Sequence, residues 1–405
     1  MSERWLSIIG IGEAGMDSLS PAARRRVEAA ELIMGGDRHE FLSGKVTAER
    51  LSWPHPLDAV IESLQAHRGQ RLVVLVTGDP LWYSIGARIG RAIPPDEIDY
   101  HPQVSAFQFA SCRLGWSIAD LETLTAHGRP AEGLLPFFWP GRRLLILTAG
   151  ANSPGEVARL LADRGFGASR MVVLGHLGGE AESRHESNAD EWAEDDPAPL
   201  LPDFHLLAVE CRGKPQPLLP RWGLPDSAFT TAGLPAMPEE VRILSLARLM
   251  PARLETLWDV ESGCGSVAIE WCRAARDAEA IAIADGARLA ALDERARALG
   301  ATRLRLIESR ANDKIPQALS DLPRPNAVLL GDGVDHRIVE FCLEALQPNG
   351  RLVANVMTPA GEALLAELQA SHGGSLRRIS VEHMAAGDCR DWCGTGLVTQ
   401  WSLVR

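Results

Sequence analysis

Between Gly213 and Asp226 the chain reads Gly-Lys-Pro-Gln-Pro-Leu-Leu-Pro-Arg-Trp-Gly-Leu-Pro-Asp. Four prolines in fourteen residues remove backbone donors and fix φ, so neither a helix nor a central strand runs through this stretch. A chain broken in this way completes one core before the break and builds another after it. At roughly 100–200 residues per domain, the length leaves a domain-sized piece on each side. The expected division is a first domain over residues 1–212, a linker over 213–230 and a second domain over 231–405.

Each piece alternates short apolar runs with stretches of helical composition. Before the break the runs are Leu6-Ser-Ile-Ile, Arg71-Leu-Val-Val-Leu-Val, Arg143-Leu-Leu-Ile-Leu-Thr and Met171-Val-Val-Leu. Continuous rather than alternating hydrophobicity marks strands buried on both faces. Ser20 is a good N-cap and Pro21 suits a first helical position, which predicts a helix from Pro21 to Glu31. After the break, Glu239 to Leu249 reads as a helix. The strands Thr256-Leu-Trp-Asp-Val, Ala280-Ile-Ala-Ile-Ala, Leu304-Arg-Leu-Ile, Ala327-Val-Leu-Leu and Arg351-Leu-Val-Ala-Asn-Val follow. Arg378 to Glu382 and Leu397 to Val404 form a closing, hairpin-like pair. The polar segment from Glu180 to Asp196 reads as a solvated loop or exposed helix. The fold class is α/β with a mainly parallel sheet.

Charge and cysteine content narrow the function. Lys plus Arg number 41 against 53 Asp plus Glu, a formal net charge of −12. That balance argues against a nucleic-acid binder, which needs a broad basic field, while leaving room for an anionic small substrate on a local arginine cluster. Seven cysteines are scattered, and the close pair Cys389-Arg-Asp-Trp-Cys393 has no second pair at matching spacing. We therefore expect no metal site and a reduced, cytoplasmic chain. The first residues run straight into an apolar strand and no stretch of 18 apolar residues occurs, so neither a signal peptide nor a membrane span is expected.

Two glycine loops follow strands, and they are not equivalent. Gly10-Ile-Gly12-Glu-Ala-Gly15 has dinucleotide-loop spacing, but Met16-Asp-Ser-Leu-Ser intervenes before the helix at Pro21, and no acidic strand end lies about twenty residues on. The loop permits close backbone approach and lines a ligand cleft. Asp259-Val-Glu261-Ser-Gly263-Cys-Gly265 leads into the helix beginning near Val267, and the next strand ends at Ala284-Asp285. An acidic side chain at that place bonds a ribose, while Gly263 and Gly265 admit an adenosyl group. This spacing suits an S-adenosylmethionine-dependent methyltransferase better than a dehydrogenase.

Thr77-Gly78-Asp79-Pro80-Leu-Trp-Tyr83 after a buried strand resembles the signature of the tetrapyrrole methylase family. Gly10 to Gly15, Pro102-Gln-Val-Ser105-Ala106, Arg113-Leu-Gly-Trp116 and His127-Gly-Arg129 resemble other segments of it. With Leu257-Trp-Asp-Val and Val267-Ala-Ile-Glu-Trp271, the whole chain resembles the decarboxylating precorrin methyltransferases of cobalamin biosynthesis. The resemblance implies a class III methyltransferase domain followed by a Rossmann-like class I domain. It implies that the first methylates C5 of a precorrin, and that the second methylates C15 and removes the ring-C acetate carboxyl, leading from precorrin-6B to precorrin-8X.

On the same resemblance, Gly78, Asp79, Pro80, Ser105 and Ala106 hold S-adenosylmethionine in the first domain. Gly263, Gly265 and Asp285 hold it in the second. Gly10, Gly12, Gly15, His127 and Arg129 meet the polycarboxylate substrate. No side chain is assigned the chemistry, because methyl transfer depends chiefly on alignment in a dry pocket. A homo-oligomer, in related proteins a tetramer through the second domain, is also implied.

The chain departs from the family pattern at Glu261, where a glycine is usual, and at Ala284, where the acidic residue usually stands one place before Asp285. It also lacks a threonine–lysine pair near residues 232–238, has Ser84 for a glycine, and has His205 for an asparagine. Glu261 brings a charge toward the cofactor's carboxylate end, which predicts weakened binding in the second domain. Two alternatives therefore stand beside the bifunctional reading. One is a second domain serving only as an impaired binding scaffold. The other, drawn from the first loop alone, is a nicotinamide-dependent oxidoreductase.

Overall fold

A computed structural model of the chain describes residues 4–44, 46–213, 222–229, 237–260, 263–284, 286–308, 315–331, 333, 335–384 and 392–405. The backbone divides into two compact units: Met1–Arg129 with Trp139–Pro215, and Pro130–Phe138 with Gln216–Arg405.

The first unit carries two sheets. One contains β1 (Leu6–Ile11), β2 (Leu32–Met34), β3 (Glu49–Leu51), β4 (Leu72–Thr77) and β5 (Ile98–His101), in the order β3-β2-β4-β1-β5. All its pairings are parallel. Leu6, Ile8, Val74 and Val76 pack into one core, while Ile9, Ile11, Val73 and Leu75 pack into another. Successive side chains on one strand thus enter cores on opposite faces, which is why these strands are apolar without alternation.

The other sheet contains β6 (Glu122–Thr125), β7 (Arg143–Leu147), β8 (Arg170–Gly175), β9 (Ser183–Asn188) and β10 (His205–Glu210), ordered β6-β7-β10-β8-β9. Only β6 and β7 run parallel here; the other pairings are antiparallel. The expectation of a mainly parallel sheet therefore holds for the first sheet and not the second. The difference was invisible in strand composition, since both β7 and β8 are buried apolar runs.

Two local expectations also needed correction. Ser20 does cap the first helix, its Oγ accepting from the Ala23 N–H at 3.2 Å, but the helix is Pro21–Glu28 and stops short of Glu31. Glu31 instead leads into the interior strand β2, its N–H donating to Arg71 O and its carboxylate accepting from the Arg71 N–H. Residues 180–196 are not simply loop or helix. They hold the edge strand β9 and the helix Ala189–Glu194, whose first turn is capped by the Asn188 side chain. Ser-Arg-His-Glu-Ser-Asn is polar on both faces, so its sequence lacks the alternation of a half-buried strand.

The second unit has one sheet of seven strands. These are β11 (Thr256–Val260), β12 (Glu279–Ala284), β13 (Leu304–Glu308), β14 (Ala327–Leu330), β15 (Arg351–Val356), β16 (Ser375–Met384) and β17 (Trp392–Val404). Their order is β13-β12-β11-β14-β15-β17-β16; the first five are parallel and the last two antiparallel, as the closing pair predicts. Leu257, Ala280, Ala282 and Leu329 lie in the core on one face, and Trp258, Ile281, Ile283 and Leu330 on the other.

A buried ion pair pins the helix Glu239–Leu249 to the helix Ser266–Ala274. Arg242 and Glu270 are both fully buried, with Arg242 Nε donating to Glu270 Oε2 at 3.2 Å. The Leu224 N–H donates to the other carboxylate oxygen at 2.6 Å, and Arg242 Nη1 also donates to Asp226 and to Met237 O. Beside it, Ser245, Asn355 and Gln400 form a buried amide–hydroxyl cluster. Gln400 Nε2 donates to Asn355 Oδ1, and Asn355 Nδ2 donates to Ser245 Oγ, each at 2.9 Å.

Candidate active sites

In the first unit, the loops that leave the C-terminal ends of β1, β4 and β5 converge. Such an edge is where open parallel sheets bind ligands. Gly10 is required there for contact: a Cβ on it would stand 1.9 Å from the Gly78 carbonyl oxygen and 2.8 Å from Gln103 Cβ. Gly78, at φ +65, backs onto Ser105, and its N–H donates to Ile11 O at 3.3 Å. Gly10, Gly78 and Ser105 therefore belong to one assembly.

Gly12 and Gly15 shape the rest of the first loop. The Gly12 N–H donates to Ser18 Oγ at 2.9 Å, and the Ser18 hydroxyl donates to Gly15 O at 2.6 Å. Gln103 Nε2 donates to Ser18 O, tying this loop to the segment that precedes Ser105. Asp79 Oδ1 accepts from the Leu81 N–H at 2.8 Å, turning the chain directly before Pro80 closes on Gly86. Ser84, at the position where the family has glycine, is the N-cap of the helix Ile85–Ala92. Ser105 caps the helix Ala106–Leu114 with Gln108 as reciprocal partner.

His127 and Arg129 sit on an exposed turn after β6. His127 donates its backbone N–H to Thr125 Oγ1, its Nδ1 lies 3.3 Å from Thr148 O, and the Arg129 N–H donates to Ala126 O. His205 is a buried structural residue: its Nδ1 faces Pro202 O at 2.7 Å and its Nε2 faces Thr148 Oγ1 at 2.9 Å. Burial lowers its pKa, which keeps the ring neutral.

A cluster at the same edge carried no sequence signal beyond a glutamate between glycines. Glu13, from the first loop, pairs with Arg38 and lies 2.9 Å from His176 Nδ1. The Arg38 guanidinium covers the Phe204 ring at 3.2 Å. Burial pushes Arg38 down to about 10. Next to it, His39 is pushed down to about 4, by burial first and then by the Arg38 charge. The Gly36 N–H donates to His39 Nδ1 at 3.2 Å, so the opposite nitrogen faces Thr77 Oγ1 at 3.1 Å as a donor.

In the second unit the strand order reverses between β11 and β14, the switch point at which such sheets bind ligands. Gly263 is at φ +55 with open space where a Cβ would stand. Gly265, at φ +71, lies against Leu292, and a Cβ there would be 2.2 Å from Leu292 Cδ1. The Gly331 N–H donates to Val260 O at 3.0 Å, bringing the loop after β14 to the same place. Ala284 ends β12, buried. Glu261, Asp285 and the 231–236 segment lie outside the described residues, as does Cys389. Among the described residues no group of three His, Cys, Asp or Glu is placed to hold a metal, and no helix is long and apolar enough to cross a membrane.

Fold, loops and spacing together define a two-domain methyltransferase. The tetrapyrrole (corrin/porphyrin) methylase family matches residues 6–193, and the precorrin methyltransferase domain matches residues 228–405. A Sinorhizobium precorrin-6Y C(5,15)-methyltransferase [decarboxylating] is 36% identical, covering 99% of this chain and 96% of its own. A Mycobacterium tuberculosis protein of the same name is 34% identical over 98% of this chain and 99% of its own. A Salmonella typhimurium cobalt-precorrin-7 C(5)-methyltransferase is 30% identical, over 44% of this chain and 89% of its own. The chain belongs to the decarboxylating precorrin-6Y C5,15-methyltransferase family. Neither alternative raised by the sequence, a scaffold-only second domain or a nicotinamide oxidoreductase, is supported by these relatives.

Proposed function

We propose that this chain methylates a precorrin at C5 in its first unit and at C15 in its second, with loss of the ring-C acetate carboxyl, using S-adenosylmethionine in both. The observation that carries the reading is the convergence of Gly10, Gly78 and Ser105 at the strand ends of a sheet whose family match spans residues 6–193. S-adenosylmethionine supplies an electrophilic methyl group when bound. Gly78, Asp79, Pro80, Ser105 and Ala106 fit it as a backbone cradle at a helix start. Gly263 and Gly265 fit it at the switch point, Gly263 with open space for close approach and left-handed Gly265 by letting the loop pack against Leu292. Asp285 is assigned the ribose. Gly12 and Gly15 shape the substrate side of the first loop, and His127 and Arg129 meet carboxylates of the macrocycle through charge-assisted bonds.

The division at 213–230, a cytoplasmic location and a homo-oligomer formed through the second unit belong to the same proposal. The experiment that tests the function is incubation of the full chain with precorrin-6B and S-adenosylmethionine, followed by mass spectrometry. Two added methyl groups and one lost carboxyl are expected. A product methylated at only one position, under saturating donor, refutes the bifunctional reading.

A further inference from the structure

We propose that His176 accepts the proton released when the first unit methylates its ring carbon, with Glu13 and Arg38 as its positioning residues. The inference rests on the C5-methylation reading above. His176 directly follows β8 and adopts φ +47, an uncommon angle for a side-chain-bearing residue. It is fixed there by its N–H to Phe204 O at 3.2 Å and by the Gly179 N–H to its own carbonyl at 3.0 Å. The ring lies 6.0 Å from the Phe204 ring, and its Nδ1 lies 2.9 Å from Glu13 Oε2, across 163 residues of sequence.

The Glu13 side chain is 11% exposed and that of His176 is 33% exposed, so the carboxylate is buried while the imidazole keeps an open edge. A carboxylate only accepts. Nδ1 therefore carries the hydrogen, and the lone pair is left on Nε2. Arg38 pairs with the other carboxylate oxygen, which fixes the Glu13 side chain against the ring.

Two other titratable groups, Glu182 and His39, are engaged elsewhere. Glu182 accepts from Arg113 and from the Gly178 N–H. His39 has its Nδ1 engaged by Gly36. The dyad also stands beside the glycine assembly. Glu13 lies between Gly12 and Gly15; a Cβ on Gly179 would be 2.7 Å from Glu13 Cβ, and one on Gly178 would be 2.8 Å from the Phe109 ring in the helix that Ser105 caps.

The chemistry balances with this one acceptor. The ring carbon forms its bond to the methyl group with ring electrons, while the donor sulfur keeps the pair of the bond that breaks. The carbon–hydrogen bond then breaks, its pair returns to the ring, and the proton passes to His176 Nε2. No oxidant or metal enters.

The test uses the full chain with a precorrin deuterated at C5, comparing wild type, His176→Gln and Glu13→Gln. His176→Gln should lower the C5 methylation rate by about 10²–10⁴-fold, the usual contribution of a general base. It should also expose a deuterium isotope effect absent or smaller in wild type. Calorimetric binding of S-adenosylmethionine and C15 methylation by the same chain should be unchanged. Glu13→Gln should give an intermediate rate, and histidine ¹⁵N NMR should show the Nδ1–H tautomer of His176 depleted. An unchanged rate and isotope effect in His176→Gln, or a loss of donor binding that accounts for the lost rate, overturns the proposal. Wild-type protein that makes no C5-methylated product overturns the functional reading and this inference with it.

Discussion

Replacing Gly10 by alanine tests whether the first active site is held by close backbone approach. The new Cβ would lie 1.9 Å from the Gly78 carbonyl oxygen, 2.8 Å from Gln103 Cβ and 3.0 Å from Gln103 N. Real Cβ atoms essentially never come within 3.0 Å of such neighbours, so the loops must separate by about 1 Å or more. Two of the three obstacles are backbone atoms, and β1 is held on both sides by parallel partners. The cost therefore belongs at the upper end of the roughly 1–3 kcal/mol typical of overpacking. For a unit of this size, each kcal/mol shifts the midpoint by about 2–4 °C, so the first unit should melt about 6–12 °C lower. The shift displaces Gly78, so S-adenosylmethionine affinity should fall by about tenfold, equivalent to 1.4 kcal/mol. Gly12→Ala is the comparison, since its Cβ would meet side chains alone, Ser18 Cβ at 3.3 Å and Gln103 Cγ at 4.0 Å. Scanning calorimetry and isothermal titration of both variants decide the matter. A Gly10→Ala protein that melts and binds like the Gly12→Ala protein refutes the reasoning.

Asp79→Ala removes the acceptor for the Leu81 N–H and should weaken donor binding by about 1 kcal/mol, read by titration. Arg242→Met leaves Glu270 buried without its cation and should cost about 3–5 kcal/mol in the second unit. Glu270→Gln should cost less, and chemical denaturation distinguishes the two. Burial first, and then the Arg38 charge, hold the folded pKa of His39 at about 4, below the ordinary 6.5. Its contribution is present above pH 6.5 and is lost as pH falls toward 4; His39→Gln should flatten that stretch of the stability–pH curve. A fragment ending at residue 212 should bind S-adenosylmethionine, and failure to bind while the full chain does would contradict the proposed boundary.

Much of the architecture was readable because burial on both faces leaves a continuous apolar run. β1, β4, β11, β14 and β15 all announce themselves in that way. Direction was not readable: β7 and β8 look like parallel strands, yet each takes β10 as an antiparallel neighbour. β9 escaped notice because an edge strand exposed to water has no need of hydrophobic alternation. At the site, glycines were legible because special backbone geometry requires them. The Gly10–Gly78 contact was not, since 68 residues separate the two in sequence. Glu13, Arg38 and His176 are ordinary polar residues in the text, and only the return of β8 beside the first loop brings them together.

The strand that comes last in sequence is not last in space. β17 lies between β15 and β16, and its Gln400 completes the buried cluster with Asn355 and Ser245. During synthesis, β11 to β15 emerge from the ribosome with an open edge and an unfilled amide partner, and β16 has no neighbour to dock on. The first unit is free to fold while it waits. The second sheet closes only once residues 392–404 have been made, since β17 alone joins β15 to β16. A polypeptide cut short before residue 392 would have one finished unit and one whose sheet remains open at β15.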